Sequence, residues 1–355
     1  RTTGVTTTVR PGNKVMYASL SPNGKDVAYV FENNIYIQSL EDNSTKQLTH
    51  DGKLNEIING SADWVYEEEF SMSQAFSWSP DGMYLAYQKF DESEVPEFTM
   101  TNYRNELYPE YVTYKYPKVG EKNAIVSVHI YQLKNDKTLD VTFGPEEDFY
   151  IPRIKWPKSS ERLFVYHMNR HQNHLKVFSV DTRSGKKTPI IDEKNKYYID
   201  ITDDIRFLED GKSFIWSSEK SGYNHLYLMD MQGRELNALT EGEYDVTQFY
   251  GIDEKNGHIY YQSAEKSPLE RQVYRAELDG NNKTAIANKA GTNNVQFSST
   301  YDYYINTHST INTPASYTVY NREGDIIREL EDNKALKKKQ NKENVQDVEF
   351  FSFKT

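Results

Sequence analysis

One short pattern, repeated along the chain, constrains the fold more than any other feature of the sequence. In its first copy, a Ser-Pro-Asn-Gly turn at residues 21–24 is followed by apolar segments at 27–30 and 34–37. An Asn-Gly pair between such segments is a strong signal for a β-hairpin, because both residues tolerate the positive φ that the two central turn positions need. Together with the strand that begins at Tyr17, before the turn, and a further segment at 46–49, each copy predicts four antiparallel strands.

Six copies of this pattern are present. They begin near residues 17, 79, 154, 210, 256 and 302. Units of four strands that recur about every 40 to 50 residues are typical of propeller blades, which cover their faces by stacking on their neighbours. The sequence therefore predicts an all-β fold, a β-propeller of four-stranded antiparallel blades. A pair of β-sandwich domains is the alternative, but it would not need the pattern at the same place in each unit.

Two insertions break the repeat. The first covers residues 55–75, between the first and second copies, and is predicted to contain a short helix. The second covers residues 91–124, within the second copy, and is predicted to form an extended arm. Because loops carry function more often than the strands that they connect, we expect a binding site at these insertions.

The charge balance and the residue types exclude several classes of function. With 53 acidic and 42 basic residues the net charge is -11, which argues against a nucleic-acid partner. The lysine run at 337–339 is predicted to be a solvated loop. The absence of cysteine excludes disulfides, thiolate metal sites and a cysteine nucleophile. His167, His171 and His174 fall between predicted strands without a completing Glu, so neither a metal site nor a cofactor is predicted.

Three consecutive glutamates, Glu67, Glu68 and Glu69, are the feature of the first insertion that most suggests chemistry. Such a run is usually a solvated helix face, because grouped carboxylates repel one another and raise each other's pKa. Here aromatic residues flank the run, among them Trp64 and Tyr66. These anchors, together with the position on an insertion, favour a fixed acidic site.

The sequence around the glutamates resembles a known family. The motifs are Asn-Gly-x-x-Asp-Trp-Val-Tyr-Glu-Glu-Glu at 59–69, Trp-Ser-Pro-Asp-Gly at 78–82, Glu-Val-Pro at 94–96 and Tyr-x-Tyr-Pro-Lys at 114–118. In this order and spacing they are similar to the dipeptidyl peptidase IV family of prolyl oligopeptidase-like serine exopeptidases. The similarity covers about a hundred contiguous residues, and beyond residue 145 it is one of repeat pattern.

The resemblance also implies a division of the chain. Residues 1–345 would form the propeller, which has eight blades in the family and of which about six are expected here. Residues 346–355 would be a strand that links the propeller to an α/β-hydrolase catalytic domain. The chain has no Gly-x-Ser-x-Gly nucleophile motif, so it is expected to be inactive by itself. The family's substrate-binding arginine has no match here and is not assigned to Arg1 or Arg10.

In that family, the last two glutamates of the run bind the free α-ammonium of a peptide substrate. The resemblance therefore implies this role for Glu68 and Glu69. Asp63, Trp64 and Tyr66 would support the short helix that carries them. The parent enzyme would release N-terminal dipeptides with Pro or Ala at the second position, and the propeller would gate access of the substrate.

The second insertion would be an arm that reaches a partner subunit in a homodimer. Its tyrosines suit an interface because tyrosine buries area at low entropic cost. They are Tyr103, Tyr108, Tyr111, Tyr114 and Tyr116. A flap over the propeller rim of the same chain is the alternative. The resemblance implies a periplasmic, cell-surface or secreted location.

Two other functions stay open at this level. A prolyl tripeptidyl peptidase shares the fold and a glutamate clamp but measures out three residues, so the mass of the released product separates the two. A propeller used only as a protein-interaction scaffold is the option without catalysis. A serine nucleophile motif further along the gene would argue against it.

Overall fold

A computed structural model describes residues 6, 8–10, 12–104, 106–144, 148–343 and 345–354 of the chain. Within these residues the regular secondary structure is almost wholly β-strand, with two short helices. It divides into two compact units, Arg1–Ile201 and Thr202–Thr355. No helix in the described part of the chain is long and apolar enough to cross a membrane.

Three antiparallel sheets make up the first unit. Sheet 1 consists of β1 (Met16–Leu20), β2 (Asp26–Phe31), β3 (Asn34–Ser39) and β4 (Thr45–Gln47). Sheet 2 consists of β5 (Ile57–Asn59), β6 (Phe76–Trp78), β7 (Tyr84–Asp91), β10 (Ile125–Gln132) and β11 (Lys137–Val141). Sheet 3 consists of β12 (Phe149–Tyr150), β13 (Ile154–Lys155), β14 (Arg162–Asn169), β15 (His174–Asp181) and β16 (Lys187–Lys194). The unit also contains helix α1 (Trp64–Phe70) and a separate hairpin of β8 (Glu97–Asn102) and β9 (Glu110–Lys115).

The second unit contains three four-stranded antiparallel sheets with their strands in chain order. Sheet 4 consists of β17 (Arg206–Phe207), β18 (Ser213–Ser218), β19 (His225–Asp230) and β20 (Glu235–Ala238). Sheet 5 consists of β21 (Val246–Asp253), β22 (His258–Ser263), β23 (Gln272–Glu277) and β24 (Thr284–Ala287). Sheet 6 consists of β25 (Thr292–Phe297), β26 (Tyr303–Thr310), β27 (Thr313–Asn321) and β28 (Ile326–Glu331), and helix α2 (Lys334–Lys342) follows it.

Neighbouring sheets within a unit share buried side chains. In the first unit, Val30 of sheet 1 and Leu85 of sheet 2 are both fully buried in one apolar cluster. In the second unit, Ile215 of sheet 4 and Ile259 of sheet 5 are likewise both fully buried in one apolar cluster. A strand that is covered on both faces reads as a continuous apolar run, which explains the apolar second strand of each copy. The predicted all-β fold of repeated four-stranded antiparallel units is confirmed.

The turns between the first two strands of a sheet differ from the predicted geometry. In the turn at 21–24, Gly24 has a φ of 73°, but Asn23 does not have the positive φ that the sequence suggested. Pro22 explains the difference, because its ring holds φ at about -65° and favours a type I turn. Only the glycine that follows then enters the left-handed region. The corresponding glycines of three further turns are also left-handed, at Gly82, Gly211 and Gly257.

The C-terminal part of the chain corrects two further predictions. The lysine run at 337–339 lies in helix α2 and not in a loop. Lys, Gln, Ala and Leu favour helix, and lysines in the last turn complement the helix dipole. The strand predicted for 346–355 is absent from residues 345–354, and Thr355 lies outside the described residues. A strand needs a neighbouring strand for its hydrogen bonds, whereas Val348 bonds through its backbone to the side chain of Asn312.

The first insertion interrupts the first strand of sheet 2. Both β5 and β6 pair with β7, and the chain leaves the sheet between them to form α1. Gly60 donates its N–H to the carbonyl of Gln88, and Gln88 donates its N–H to the carbonyl of Ala75, which closes the base of the excursion. Gly60 has a φ of 76°, and a Cβ there would lie 2.7 Å from Cγ1 of Ile35. Both features require glycine at this position.

Candidate functional site

Helix α1 carries the three glutamates and is capped at both ends. The side chain of Asp63 accepts a hydrogen bond of 3.0 Å from the N–H of Tyr66, which caps the N-terminus. Ser71, with a φ of 50°, ends the helix, and the N–H of Met72 donates to the carbonyl of Tyr66 at 3.1 Å. A helix of seven residues is too short to be stable alone, so α1 depends on tertiary contacts.

Two aromatic side chains, one turn apart, hold α1 on the sheets. The ring of Tyr66 is fully buried and lies 4.8 Å from the ring of Phe90 in β7. The hydroxyl of Tyr66 accepts a hydrogen bond of 2.8 Å from the N–H of Ile151. The ring of Phe70 lies 5.1 Å from that of Tyr150 in β12. These contacts join sheets 2 and 3 through the helix and fix which face of it points away from them.

The three glutamates are all exposed, and at about 100° per residue Glu68 lies opposite the face that carries Tyr66 and Phe70. Within the described part of the chain, no hydrogen bond or ion pair occupies the carboxylate of Glu68 or Glu69. Burial raises the pKa of both Tyr150 and Tyr198, and the negative charge of Glu69 adds a smaller contribution in the same direction. Successive residues of a helix are about 100° apart around its axis. The side chains of Glu68 and Glu69 therefore point to adjacent parts of the solvent-facing surface of α1.

Other residues near this site were not singled out from the sequence. Tyr150 accepts a hydrogen bond of 2.8 Å from the side-chain amide of Asn123, and Tyr198 donates one of 3.0 Å to Gln172. Their only sequence signal is that they are tyrosines, of which the chain has 28. A residue type this common does not mark a site until the fold brings it close to one.

Two carboxyl groups, one at the N-cap of α1 and one directly after β7, are buried. Asp63 is 6% exposed and Glu92, directly after β7, is 7% exposed. Burial raises the pKa of Asp63 to about 6. Burial, followed by the charge of Asp63, raises the pKa of Glu92 to about 7, while Lys115 opposes the shift. Both groups therefore hold their protons more tightly in the folded chain than in the unfolded chain.

We expect Asp63→Asn to flatten the pH dependence of stability. Because its pKa is raised from 3.8 to about 6, the stabilising contribution of the neutral group is present at low pH and is lost as pH rises through 6. The shift corresponds to about 3 kcal/mol in the free energy of unfolding. Asn keeps the capping oxygen but cannot ionise. Urea unfolding at pH 4 and at pH 7.5 measures the difference.

The matched control is Asp210→Asn, which changes an exposed carboxylate in a turn. Its unfolding free energy should follow that of the parent chain across the same pH range. Parallel curves for Asp63→Asn and the parent chain would contradict the assignment of a raised pKa to Asp63.

The structure separates the five tyrosines of the second insertion into two groups. Tyr103, Tyr108 and Tyr111 are 71%, 81% and 67% exposed and lie towards the end of the β8–β9 hairpin. Tyr114 and Tyr116 are partly buried at its base. There the ring of Tyr116 lies 4.2 Å from that of Trp64, the first residue of α1. The arm and the glutamate helix, predicted as separate features, are therefore in contact.

Arg10, which is not assigned as the substrate-binding arginine, packs on two aromatic rings. The guanidinium of Arg10 lies 3.8 Å from the ring centre of Phe31 and 4.8 Å from that of Tyr36 in sheet 1. A cation held over aromatic rings is a structural contact. Arg1 lies outside the described residues.

Comparisons with known proteins agree with the motifs. A family model described as the N-terminal region of dipeptidyl peptidase IV matches residues 1–315. Dipeptidyl peptidase 4 of Trichophyton tonsurans is 32% identical over 96% of this chain and 46% of its own length. A probable dipeptidyl-aminopeptidase B of Tuber melanosporum is 30% identical over 92% of this chain and 40% of its own length.

A solved structure gives the same result. The crystal structure of Porphyromonas gingivalis dipeptidyl peptidase 4 is 42% identical, with a TM-score of 0.87, over 93% of this chain and 47% of that one. The chain thus spans about half the length of the relatives that it matches. By these matches the chain belongs to the dipeptidyl peptidase IV family and corresponds to the N-terminal region of its members.

Proposed function

We propose that this chain is the substrate-gating and amino-terminus-binding part of a dipeptidyl peptidase IV-like serine exopeptidase. The observation that carries the proposal is the pair Glu68 and Glu69, exposed on a short helix whose other face is anchored by Tyr66 and Phe70. Anchoring gives two carboxylates a defined position, which a ligand can use and a mobile acidic loop cannot provide.

The chemistry of the pair suits a peptide amino terminus. An α-ammonium has three N–H donors and a positive charge, and charge-assisted bonds to carboxylates are about twice as strong as neutral ones. Two carboxylates side by side supply acceptors for two of the donors and outweigh the single charge. Holding the terminus at a fixed distance from a nucleophile would make the enzyme cut after the second residue. The nucleophile would belong to a Ser-His-Asp triad on an α/β-hydrolase domain outside this chain.

The mass of the released product tests the proposal on the intact protein. With peptides that begin Gly-Pro or Ala-Ala-Pro, we expect a dipeptide from the first and no tripeptide from the second. Release of Ala-Ala-Pro would favour a tripeptidyl peptidase, and no cleavage of either peptide would favour an interaction scaffold. Acetylation of the amino terminus should abolish cleavage, because it removes the charge and two of the three donors.

The arm and the C-terminal segment are assigned to partners in the same proposal. The exposed Tyr103, Tyr108 and Tyr111 would contact a second subunit in a homodimer, with an intramolecular flap as the alternative. Phe350 and Phe351, which are 64% and 84% exposed, would pack on the catalytic domain. A periplasmic, cell-surface or secreted location stays an expectation from the resemblance.

A further inference from the structure

The base of the arm packs on the first turn of the glutamate helix. The rings of Tyr116 and Trp64 are 4.2 Å apart and inclined at 58°. Tyr116 also lies 5.6 Å from Phe98 and 6.2 Å from Tyr114, so it is the centre of a small aromatic group. Its N–H donates to the carbonyl of Pro96 at 2.9 Å, which closes the base of the β8–β9 hairpin. Tyr116 is therefore held from the arm side.

A largely covered ammonium group ties the base of the arm together. The side chain of Lys115 is 11% exposed, and its Nζ donates to the carbonyls of Val95 at 2.9 Å and Ser93 at 3.3 Å. Glu92, which precedes this turn, is also buried, with 7% of its surface exposed. The base of the arm and the start of α1 thus form one packed region, although the arm is 20 or more residues further along the chain.

Helical geometry connects this region to the glutamates. Residues four apart lie on the same face of a helix, so Trp64 and Glu68 are neighbours along α1. The other face is held by Tyr66 and Phe70 on sheets 2 and 3. Because two helical turns are marginally stable alone, the first turn of α1 needs a contact on the Trp64 face as well. Tyr116 supplies that contact.

We propose that Tyr116 is a positioning residue for Glu68: by packing on Trp64, the base of the arm holds the first turn of α1 in place. The effect of Tyr116 on catalysis rests on the proposed function, whereas its support of helix α1 does not. A partner that moves the arm would act on the amino-terminus site through the same contact.

Two measurements on the intact protein test this inference, with Tyr116→Leu as the main variant. Hydrogen exchange of the α1 amides reports the support of the helix, and we expect it to become at least about tenfold faster. kcat/KM for a Gly-Pro substrate reports the consequence. It should fall about tenfold, mostly through KM, but less than about twofold when Glu68→Ala is already present, because coupled residues are not additive.

Three further variants separate positioning from general damage. Tyr116→Phe keeps the ring and should retain the parent exchange rate and activity. Tyr303→Leu makes the same change at an exposed tyrosine of sheet 6 and should do likewise. Trp64→Phe weakens the same contact from the helix side, so exchange of the α1 amides should rise and kcat/KM should fall, each by less than in Tyr116→Leu. It replaces Tyr116→Leu as the main variant if Tyr116→Leu does not accumulate.

The outcomes distinguish this inference from the proposed function. Unchanged exchange in α1 overturns the inference, and so does an equal loss of kcat/KM with and without Glu68→Ala. If Glu68→Ala and Glu69→Ala both retain full activity while exchange of the α1 amides still rises in Tyr116→Leu, the ammonium clamp is wrong but the arm does support the helix.

Discussion

If the proposed function is right, replacing Glu68 or Glu69 by Ala should lower kcat/KM of the intact protein at least about 30-fold, which corresponds to about 2 kcal/mol of transition-state binding. Each replacement leaves part of a bound ammonium without its anionic partner. The loss of a charge-assisted bond costs more than the loss of an ordinary hydrogen bond. Steady-state kinetics on a Gly-Pro substrate measures the effect.

Glu67→Ala is the matched control, because Glu67 is an exposed glutamate of the same helix. Its kcat/KM should stay within about threefold of the parent value, since it is not expected to touch the ligand. Glu68→Gln and Glu69→Gln keep the shape but remove the charge, and they should resemble the alanine variants. Near-normal kcat/KM for both the Glu68 and the Glu69 variants would rule out the clamp.

Replacing Tyr66 by Ala should lower the free energy of unfolding by about 3 to 5 kcal/mol, the usual cost of deleting a large buried aromatic side chain. Tyr66 is 2% exposed, packs on Phe90 and accepts a hydrogen bond from the N–H of Ile151. Tyr66→Phe keeps the ring and loses only the hydroxyl. It should cost about 1 to 3 kcal/mol, because a buried N–H is left unpaired. Urea unfolding measures both.

Tyr303→Ala is the control for these two variants, since the ring it removes is 51% exposed. It should cost less than about 1 kcal/mol. If Tyr66→Ala costs no more than Tyr303→Ala, then α1 is not anchored by Tyr66 and the fixed position of the glutamates loses its support.

The repeat was predictable because its signals are local. A turn such as the one at 21–24 needs a specific glycine, and strands covered on both faces need continuous apolar runs, so both features are written into consecutive residues. The prediction of a positive φ at Asn23 was wrong because it used only the local Asn-Gly pair. The preceding proline restricts the turn, and the expectation for Asn-Gly alone did not include it.

The candidate site was predictable to a smaller extent. The glutamate run, its aromatic neighbours and the insertion that carries them are visible in the sequence, and the resemblance names Glu68 and Glu69. The buried Glu92 and the nearby Tyr198 carry no such signal. A single acidic or aromatic side chain has an ordinary pattern in sequence, and its burial or proximity arises from segments far away along the chain.

The sequence by itself determined the repeated hairpins and the run of three glutamates on an insertion, because turn chemistry and apolar runs are properties of residues close in the chain. Tertiary structure decided which face of that helix points outward, through the contacts of Tyr66 with Phe90 and Ile151. It also decided that Tyr116 meets Trp64. Such contacts join segments that are distant in sequence, so they exist only once the sheets have packed.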